Sequence, residues 1–433
     1  MFPVLKSFIA LYSSILFLMM GVSLLNSYLS FRLSSEGCST QITGVILTAY
    51  YVGLVVGAFY CKRMIRSVGH IRAFAAFAAG TTIVVMLHGL YVSAPLWTGL
   101  RFVTGISNMG LFMVIESWLN ECAEPKVRGR VFSIYMIMAY LGGAIGQKLL
   151  VVGSVETQAM YMVVGVCIAL SIIPVSLTHS IHPELPRAEK IKLKTIFKKA
   201  PIGLIGCLSA GMMTSAFYTM GPVFTQQMNL TISQMSWFMT LSILGGLLLQ
   251  WPVGNFSDRF DRSLVLPFLG FVVTGVSLLM IFFAQNSINA LLGATILFGG
   301  FVFTLYPVAV ARAHDVFDVE DVIKVSSALL LAYGVGSSLG PVAVSTVMTL
   351  SGSPYGFYFY FMGISSLYSV ITLLLRQKES VQILPAEEQV DFVMMKKTSS
   401  VALHMDPRQD EDQDEDLNGD QGEGGDQSKE EEN

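Results

Sequence analysis

The chain has 433 residues, of which 53% are hydrophobic and 13% are charged, and its formal net charge is −3. A soluble protein carries about 25% charged residues, so this charged fraction and the mean hydropathy of +0.61 exclude an ordinary soluble domain. The apolar runs are continuous, whereas the strands of a transmembrane barrel alternate apolar and polar residues. The composition therefore predicts an all-α polytopic membrane protein.

Twelve apolar segments are long enough to cross a bilayer, which takes about 20 mostly apolar residues in a helix. We expect each of them to form one transmembrane helix. In chain order they lie at 8–32, 42–61, 73–92, 96–120, 131–152, 158–178, 201–226, 234–256, 264–284, 288–312, 323–349 and 355–376.

Lysine and arginine are concentrated in alternate loops. They follow the second, fourth, sixth, eighth and twelfth segments, and the other side carries only Arg32. Cytoplasmic loops of membrane proteins collect these residues. The pattern predicts a multi-pass membrane protein, with both termini in the cytoplasm and the lipid bilayer as its surroundings.

A polar, basic stretch divides the twelve segments six and six, and its IKLKTIFKK portion has the pattern of a short amphipathic helix. Beyond the last segment, Asp406 to Asn433 carry a net charge of −11, which is typical of a solvated, disordered tail. We expect an N-terminal six-helix bundle, a basic cytoplasmic linker, a C-terminal six-helix bundle and an acidic cytoplasmic tail, at 1–178, 179–200, 201–376 and 377–433.

Paired glycines indicate that the two halves are repeats. Gly142 and Gly146 in the fifth segment are offset by 194 residues from Gly336 and Gly340 in the eleventh, where Pro341 follows. A near-constant offset implies one six-helix plan used twice, with a site between the halves, as in secondary transporters. Small residues at this spacing favour close helix packing.

The end of the eighth segment carries four charges in GNFSDRFDR. Its pattern Gly254-x3-Asp258-Arg259-x2-Arg262 resembles the cytoplasmic motif A of the major facilitator superfamily (MFS). We expect the aspartate to pair with the two arginines and to act as a cytoplasmic latch that holds that face shut; the alternative is a simple topology anchor. The matching stretch of the first half lacks the acid, which is replaced by Cys61 if Gly57 is the anchor or by Arg66 if Gly69 is aligned with Asp261.

Three local stretches are similar to the YcaD-like branch of bacterial facilitators: GHIRAF, VIESWLNE and LYPVAVARAHD. The resemblance implies the MFS fold, with twelve transmembrane helices in two six-helix bundles related by pseudo-two-fold symmetry. It also implies a bacterial inner membrane and alternating access, without naming a cargo. In this family the first, fourth, seventh and tenth helices line the cavity, which favours Asn26, Tyr218 and Tyr306 as lining residues.

Ionisable groups inside a bilayer are costly and usually functional. Arg101, Gly105, Asn108, Phe112 and Glu116 form one stripe on the fourth segment, so we expect this stripe to face the bundle or a cavity. Arg101 with Gly105 resembles motif B of this family, whose arginine is implicated in proton coupling. The alternative is that Arg101 only packs in the protein through hydrogen bonds to backbone carbonyls. Glu116 is interpreted as a proton carrier or as a structural partner of the following basic loop.

Lys148 lies at about the depth of Arg101, and together with His88 and Arg32 it predicts a cationic cluster that attracts an anionic solute. Snorkelling of this lysine to the interface is the alternative. Gln147 stands where the antiporter motif C has a proline, which weakens a drug-export interpretation. The Gly-Pro pair ending at Pro222 predicts a break in the seventh helix.

The favoured hypothesis is a secondary transporter of a small polar or anionic solute, driven by the proton gradient without a cofactor. The alternatives are a transporter-like sensor or scaffold that signals through the acidic tail, and efflux of drugs or metabolites without proton coupling. No nucleophile–base pair, phosphate loop or metal-type Cys/His spacing occurs, so we expect no enzyme, no metal site and no nucleic-acid partner. A monomer is expected.

Overall fold

The computed structural model describes residues 2–123, 127–153, 157–177, 193–317, 321–378, 392 and 399. In these ranges the chain forms fourteen α-helices and no β-strand. The helices are α1 Phe2–Ser35, α2 Thr40–Val68, α3 His70–Leu90, α4 Ala94–Cys122, α5 Arg128–Leu149, α6 Ala159–Ser176, α7 Leu193–Lys199, α8 Pro201–Gln227, α9 Ile232–Leu248, α10 Gln250–Arg259, α11 Arg262–Asn286, α12 Ile288–His314, α13 Val322–Ser351 and α14 Gly356–Lys378.

Twelve spans within the described ranges are long and apolar enough to cross a membrane, as predicted. The eighth span consists of α9 and α10 together, from Ile232 to Arg259. The short α7 lies in the predicted linker and contains part of the stretch expected to form an amphipathic helix. Residues 179–192 of that linker lie outside the described residues.

Several helices extend beyond their apolar segments. The second begins at Thr40, where the Ser39 side chain accepts a hydrogen bond from the Ile42 N–H at 3.3 Å. It continues through its basic residues to Gly69, whose φ of 85° ends the helix. Basic residues favour the last turn of a helix, so hydropathy alone places such an end too early.

Proline has opposite effects in two spans. The eighth span is interrupted between α9 and α10 because Pro252 has no N–H to donate to the carbonyl oxygen of Leu248. The break expected at Pro222 is wrong, since α8 continues through it to Gln227. Membrane helices tolerate proline when neighbouring groups satisfy the freed carbonyls.

The helices form two bundles of six spans, α1–α6 and α8–α14. In the first bundle, Gly142 and Gly146 of α5 lie against the backbone of α1. In the second, Gly336 and Gly340 of α13 lie in the same way against the backbone of α8. The predicted repeat therefore corresponds to two equivalent helix contacts, each so close that a methyl group on the glycine would clash. Pro341 follows within an uninterrupted α13 and is buried.

The loops lie at two opposite ends of the molecule. The basic face carries the loops after α2, α4, α10 and α12, and the opposite face carries the loops after α1, α3, α5 and α8. The bundles contact each other through α1 with α8, α2 with α13 and α5 with α9. Towards the opposite face, Gln226 donates to Ser35 and Ser236 donates to the carbonyl oxygen of Gln147, at 3.0 and 2.7 Å.

Candidate functional site

The side chain of Arg101 is enclosed between α1, α2 and α4 and is 0% exposed. Its Nη2 donates to Oδ1 of Asn26 at 2.7 Å, and its Cζ lies 4.4 Å from the ring centroid of Tyr50. Arg101 is seven residues from the start of α4, which places it about 10 Å from the helix end at the opposite face. An amide and an aromatic ring thus hold the guanidinium well inside the span.

This guanidinium has unused hydrogen-bonding capacity. Within the described part of the chain, Nε and Nη1 of Arg101 have no protein partner. Asn108, one turn beyond Gly105, donates to the Tyr50 hydroxyl at 3.4 Å, and its Oδ1 also has no protein partner there. A buried cation is costly unless it is paired and hydrogen-bonded. The site can therefore bind a group that supplies negative charge or several acceptors.

Tyrosines from both bundles lie between the two halves. Tyr218 of α8 stacks on Phe303 with ring centroids 5.3 Å apart, and its side chain is partly exposed. Tyr140 of α5 accepts a hydrogen bond from Gln250 of the other bundle at 2.6 Å. Tyr306 is 0% exposed and packs within its own bundle, which differs from the expected open lining position.

Glu116 lies at the other end of the α4 stripe and is 0% exposed. Its Oε1 accepts a hydrogen bond from the Tyr135 hydroxyl at 2.6 Å, and its Oε2 accepts one from the hydroxyl of Ser399. Fifteen residues of helix separate it from Arg101, about 22 Å. The predicted stripe is buried as expected, but its two charged ends form separate sites.

The structure contradicts the cationic cluster expected near the outer mouth. The Nζ of Lys148 lies 2.9 Å from the ring centroid of Trp237 in the other bundle, a cation–π contact. Arg32 instead forms an ion pair with Glu36, four residues further on. Lys148 and Arg32 therefore each have a local partner, an aromatic face and a neighbouring carboxylate, instead of forming one cluster.

The motif A segment forms a compact set of ion pairs. The side chain of Arg262 is 0% exposed and pairs with both Asp258 and Asp315. These contacts join α10, α11 and the C-terminal end of α12, which all belong to the second bundle. Arg259, expected to take part, is exposed and forms no ion pair in the described ranges. Gly254 lies on the buried side.

A second acid of the same turn caps α11. The Asp261 carboxylate accepts hydrogen bonds from the Ser263 N–H at 2.8 Å and from Arg376 of α14 at 3.1 Å. Burial raises the pKa of Asp261, but the bonds from Ser263 and the charge of Arg376 outweigh it and hold the pKa below its ordinary value. This acid is therefore ionised at neutral pH and ties α14 to the turn.

Three residues at these sites were missed from the sequence. Tyr50 is the first of two adjacent tyrosines in the middle of an apolar span, and a polar aromatic pair there was a usable signal. Tyr135 gave a weaker signal, since it is a single tyrosine within an apolar span. Ser399 had none, because it lies in a polar tail far from any span.

The comparisons with known proteins agree with this architecture. The sequence model of the Major Facilitator Superfamily matches residues 11–233 and 225–404. The chain is 30% identical over 347 residues to the "Uncharacterized MFS-type transporter YcaD" of Escherichia coli O45:K1 (strain S88 / ExPEC), covering 78% of this chain and 88% of that protein. The YcaD protein of Escherichia coli O81 (strain ED1a) is similar to the same extent.

Solved structures show the same fold. The nucleoside transporter NupG superimposes with a TM-score of 0.69 at 11% identity, over 88% of this chain and 100% of that one. The human organic anion transporter MFSD10 gives a TM-score of 0.58 at 15% identity, over 86% and 99%. With the family model covering most of the chain and both bundles, this chain is a multi-pass membrane protein that belongs to the Major Facilitator Superfamily of transporters.

Proposed function

We propose that the chain is a proton-coupled secondary transporter of a small polar or anionic solute that works by alternating access. The observation that carries this proposal is the enclosed guanidinium of Arg101, which keeps two donors unused by the protein. A carboxylate or phosphate oxygen of a solute would satisfy both the charge and the donors. No cofactor is needed, and one chain supplies both bundles.

The contacts between the bundles support alternating access. They include polar side chains such as Gln226 with Ser35, and Gln227 with Thr40 at 3.1 Å. Exposed pairs of this kind contribute little net stability, since water replaces the lost bonds. If the basic face is cytoplasmic, closure at the opposite face corresponds to a conformation that opens inwards.

The α4 helix also offers a separate site for the proton. Glu116 lies about 9 Å from the basic-face end of α4, and its carboxylate accepts bonds from hydroxyl groups that can re-orient when it takes up a proton. Solute and proton would then bind about 22 Å apart on one helix. Their coupling would run through the position of that helix rather than through direct contact.

The test is flux in proteoliposomes under an imposed pH gradient. Lactate, succinate and uridine serve as a monoanion, a dianion and a neutral solute. We expect flux of at least one anion to depend on the gradient and to be lost in Arg101→Gln, whereas Arg130→Gln, at an exposed arginine, transports normally. Movement of uridine alone would contradict the anionic part of the proposal.

The coupling has its own pair of variants. Glu116→Gln should abolish the response to the pH gradient while solute exchange without a gradient persists, because the proton site is removed and the solute site at Arg101 is unchanged. The control is Glu121→Gln, at an exposed carboxylate one turn closer to the basic face. Flux that ignores the gradient in the unmodified protein would rule out proton coupling and favour the alternative of efflux without it, whereas the absence of any flux would favour the sensor or scaffold.

A further inference from the structure

Two residues of the C-terminal tail lie between the bundles. Ser399 is 0% exposed and donates its hydroxyl hydrogen to Oε2 of Glu116 in the first bundle. Phe392 packs against the hydrophobic core, and its ring occupies the space beside Gly254 in the second bundle. The ring is so close that a methyl group on this glycine would overlap with it. One short stretch of chain therefore contacts both halves.

These contacts lie inside the protein rather than on its surface. Glu116 is six residues before the end of α4, and Gly254 is five residues before the end of α10, which places them about 9 and 8 Å from the basic-face ends of their helices. The tail can reach this depth. The 14 residues from Lys378 to Phe392 span up to about 46 Å when extended.

We propose that the space between the bundles at the basic face is a docking surface for this chain's own C-terminal segment, the one that carries Phe392 and Ser399. The surface combines a small apolar recess over Gly254, which accepts an aromatic ring, with a buried carboxylate that accepts a hydroxyl donor. An aromatic residue and a serine seven positions apart in the tail match these two features.

Charge favours the same occupant. Residues 406–433 carry a net charge of −11, whereas the rest of the chain carries +8, much of it in the loops of the basic face. Opposite charges raise the local concentration of the tail at that face and do so less at high ionic strength. Docking of this chain's own tail is therefore favoured over docking of a separate acidic protein.

Docking has a consequence for transport, which rests on the proposed function. In alternating access the basic face closes when the two bundles approach each other there, and Ser399 and Phe392 lie against Glu116 of one bundle and Gly254 of the other. Ser399 also donates a hydrogen bond to an oxygen of Glu116, the carboxylate proposed to carry the proton. The docked tail therefore holds the basic face open and slows the cycle.

The docking itself is tested by disulfide cross-linking, which needs no solute. In a cysteine-free full-length chain, Glu116→Cys combined with Ser399→Cys should cross-link within one molecule under mild oxidation. The control pairs Ser399→Cys with Ser351→Cys at the opposite face, which should not cross-link. Phe392→Ala should lower the cross-linking yield or rate about tenfold, the change expected when a partly buried phenylalanine loses its apolar contacts. Cross-linking no faster than in the control would overturn the proposal.

The regulatory consequence is tested separately by truncation. Removing residues 379–433 should raise solute exchange several-fold, whereas removing only 406–433 should raise it less, because Phe392 and Ser399 remain. Equal solute exchange in the full-length protein and both truncations would contradict the inhibitory role, provided that the full-length cysteine variant still forms the cross-link. A protein that moves no solute but still forms the cross-link would refute the proposed transport function and leave the docking surface standing.

Discussion

The ion pairs of Arg262 predict unequal effects of neutralising single charges. Its side chain is 0% exposed, its partner Asp315 is 1% exposed, and its other partner Asp258 is 31% exposed. Removing one partner of a buried pair costs about 3–5 kcal/mol, because the remaining charge stays in the interior. A part-exposed pair contributes about 0–1 kcal/mol. Arg262→Gln should therefore lower the free energy of unfolding by roughly 3 kcal/mol more than Asp258→Asn does.

The measurement is reversible unfolding in mixed micelles, followed by tryptophan fluorescence. The double variant of Arg262→Gln with Asp315→Asn should recover part of the loss, with a coupling energy of about 1–3 kcal/mol for residues in direct contact. Equal destabilisation by Arg262→Gln and Asp258→Asn would refute the reasoning, since it would mean that the enclosed pair is no stronger than the part-exposed one.

Three further outcomes are expected. The lowered pKa of Asp261 stabilises the folded protein above the unfolded pKa of about 3.9, and this stabilisation is lost as the pH falls through the folded pKa. The loss of stability in acid should therefore be shallower for Asp261→Asn than for the unmodified protein, and identical pH profiles would contradict this. Gly336→Ala should cost about 1–3 kcal/mol through overpacking, whereas Gly363→Ala, with open space around it, should cost nothing in the same unfolding assay. Asp258→Asn should slow transport more than Cys61→Ser, and the reverse order would refute the asymmetry between the two motif A positions.

Features that depend on local pattern could be predicted from the sequence. The twelve spans follow from continuous apolar runs, and the equivalent contacts of α5 and α13 follow from the repeated glycine spacing. The α4 stripe was expected to be buried because its residues recur every three or four positions, and both Arg101 and Glu116 are 0% exposed.

Partners that depend on tertiary packing could not be predicted. Asn26 accepts a hydrogen bond from Arg101, which is 75 residues away in the sequence, and Ser399 is 283 residues from Glu116. No periodicity links such positions, since their meeting depends on how whole helices pack. For the same reason Lys148 was assigned to a cationic cluster, although its actual neighbour is an aromatic ring on the other bundle.

The difference between the α1–α5 contact and the α5–α9 contact has a practical consequence for spectroscopy. Within each bundle, glycines such as Gly142 and Gly336 let two backbones touch, and contacts of this kind do not separate without large strain. Spin labels on α1 and α5 should therefore give one narrow distance distribution in every condition. Labels on α5 and α9, which meet through side chains such as Ser236, should give distributions that broaden or split when solute or pH changes.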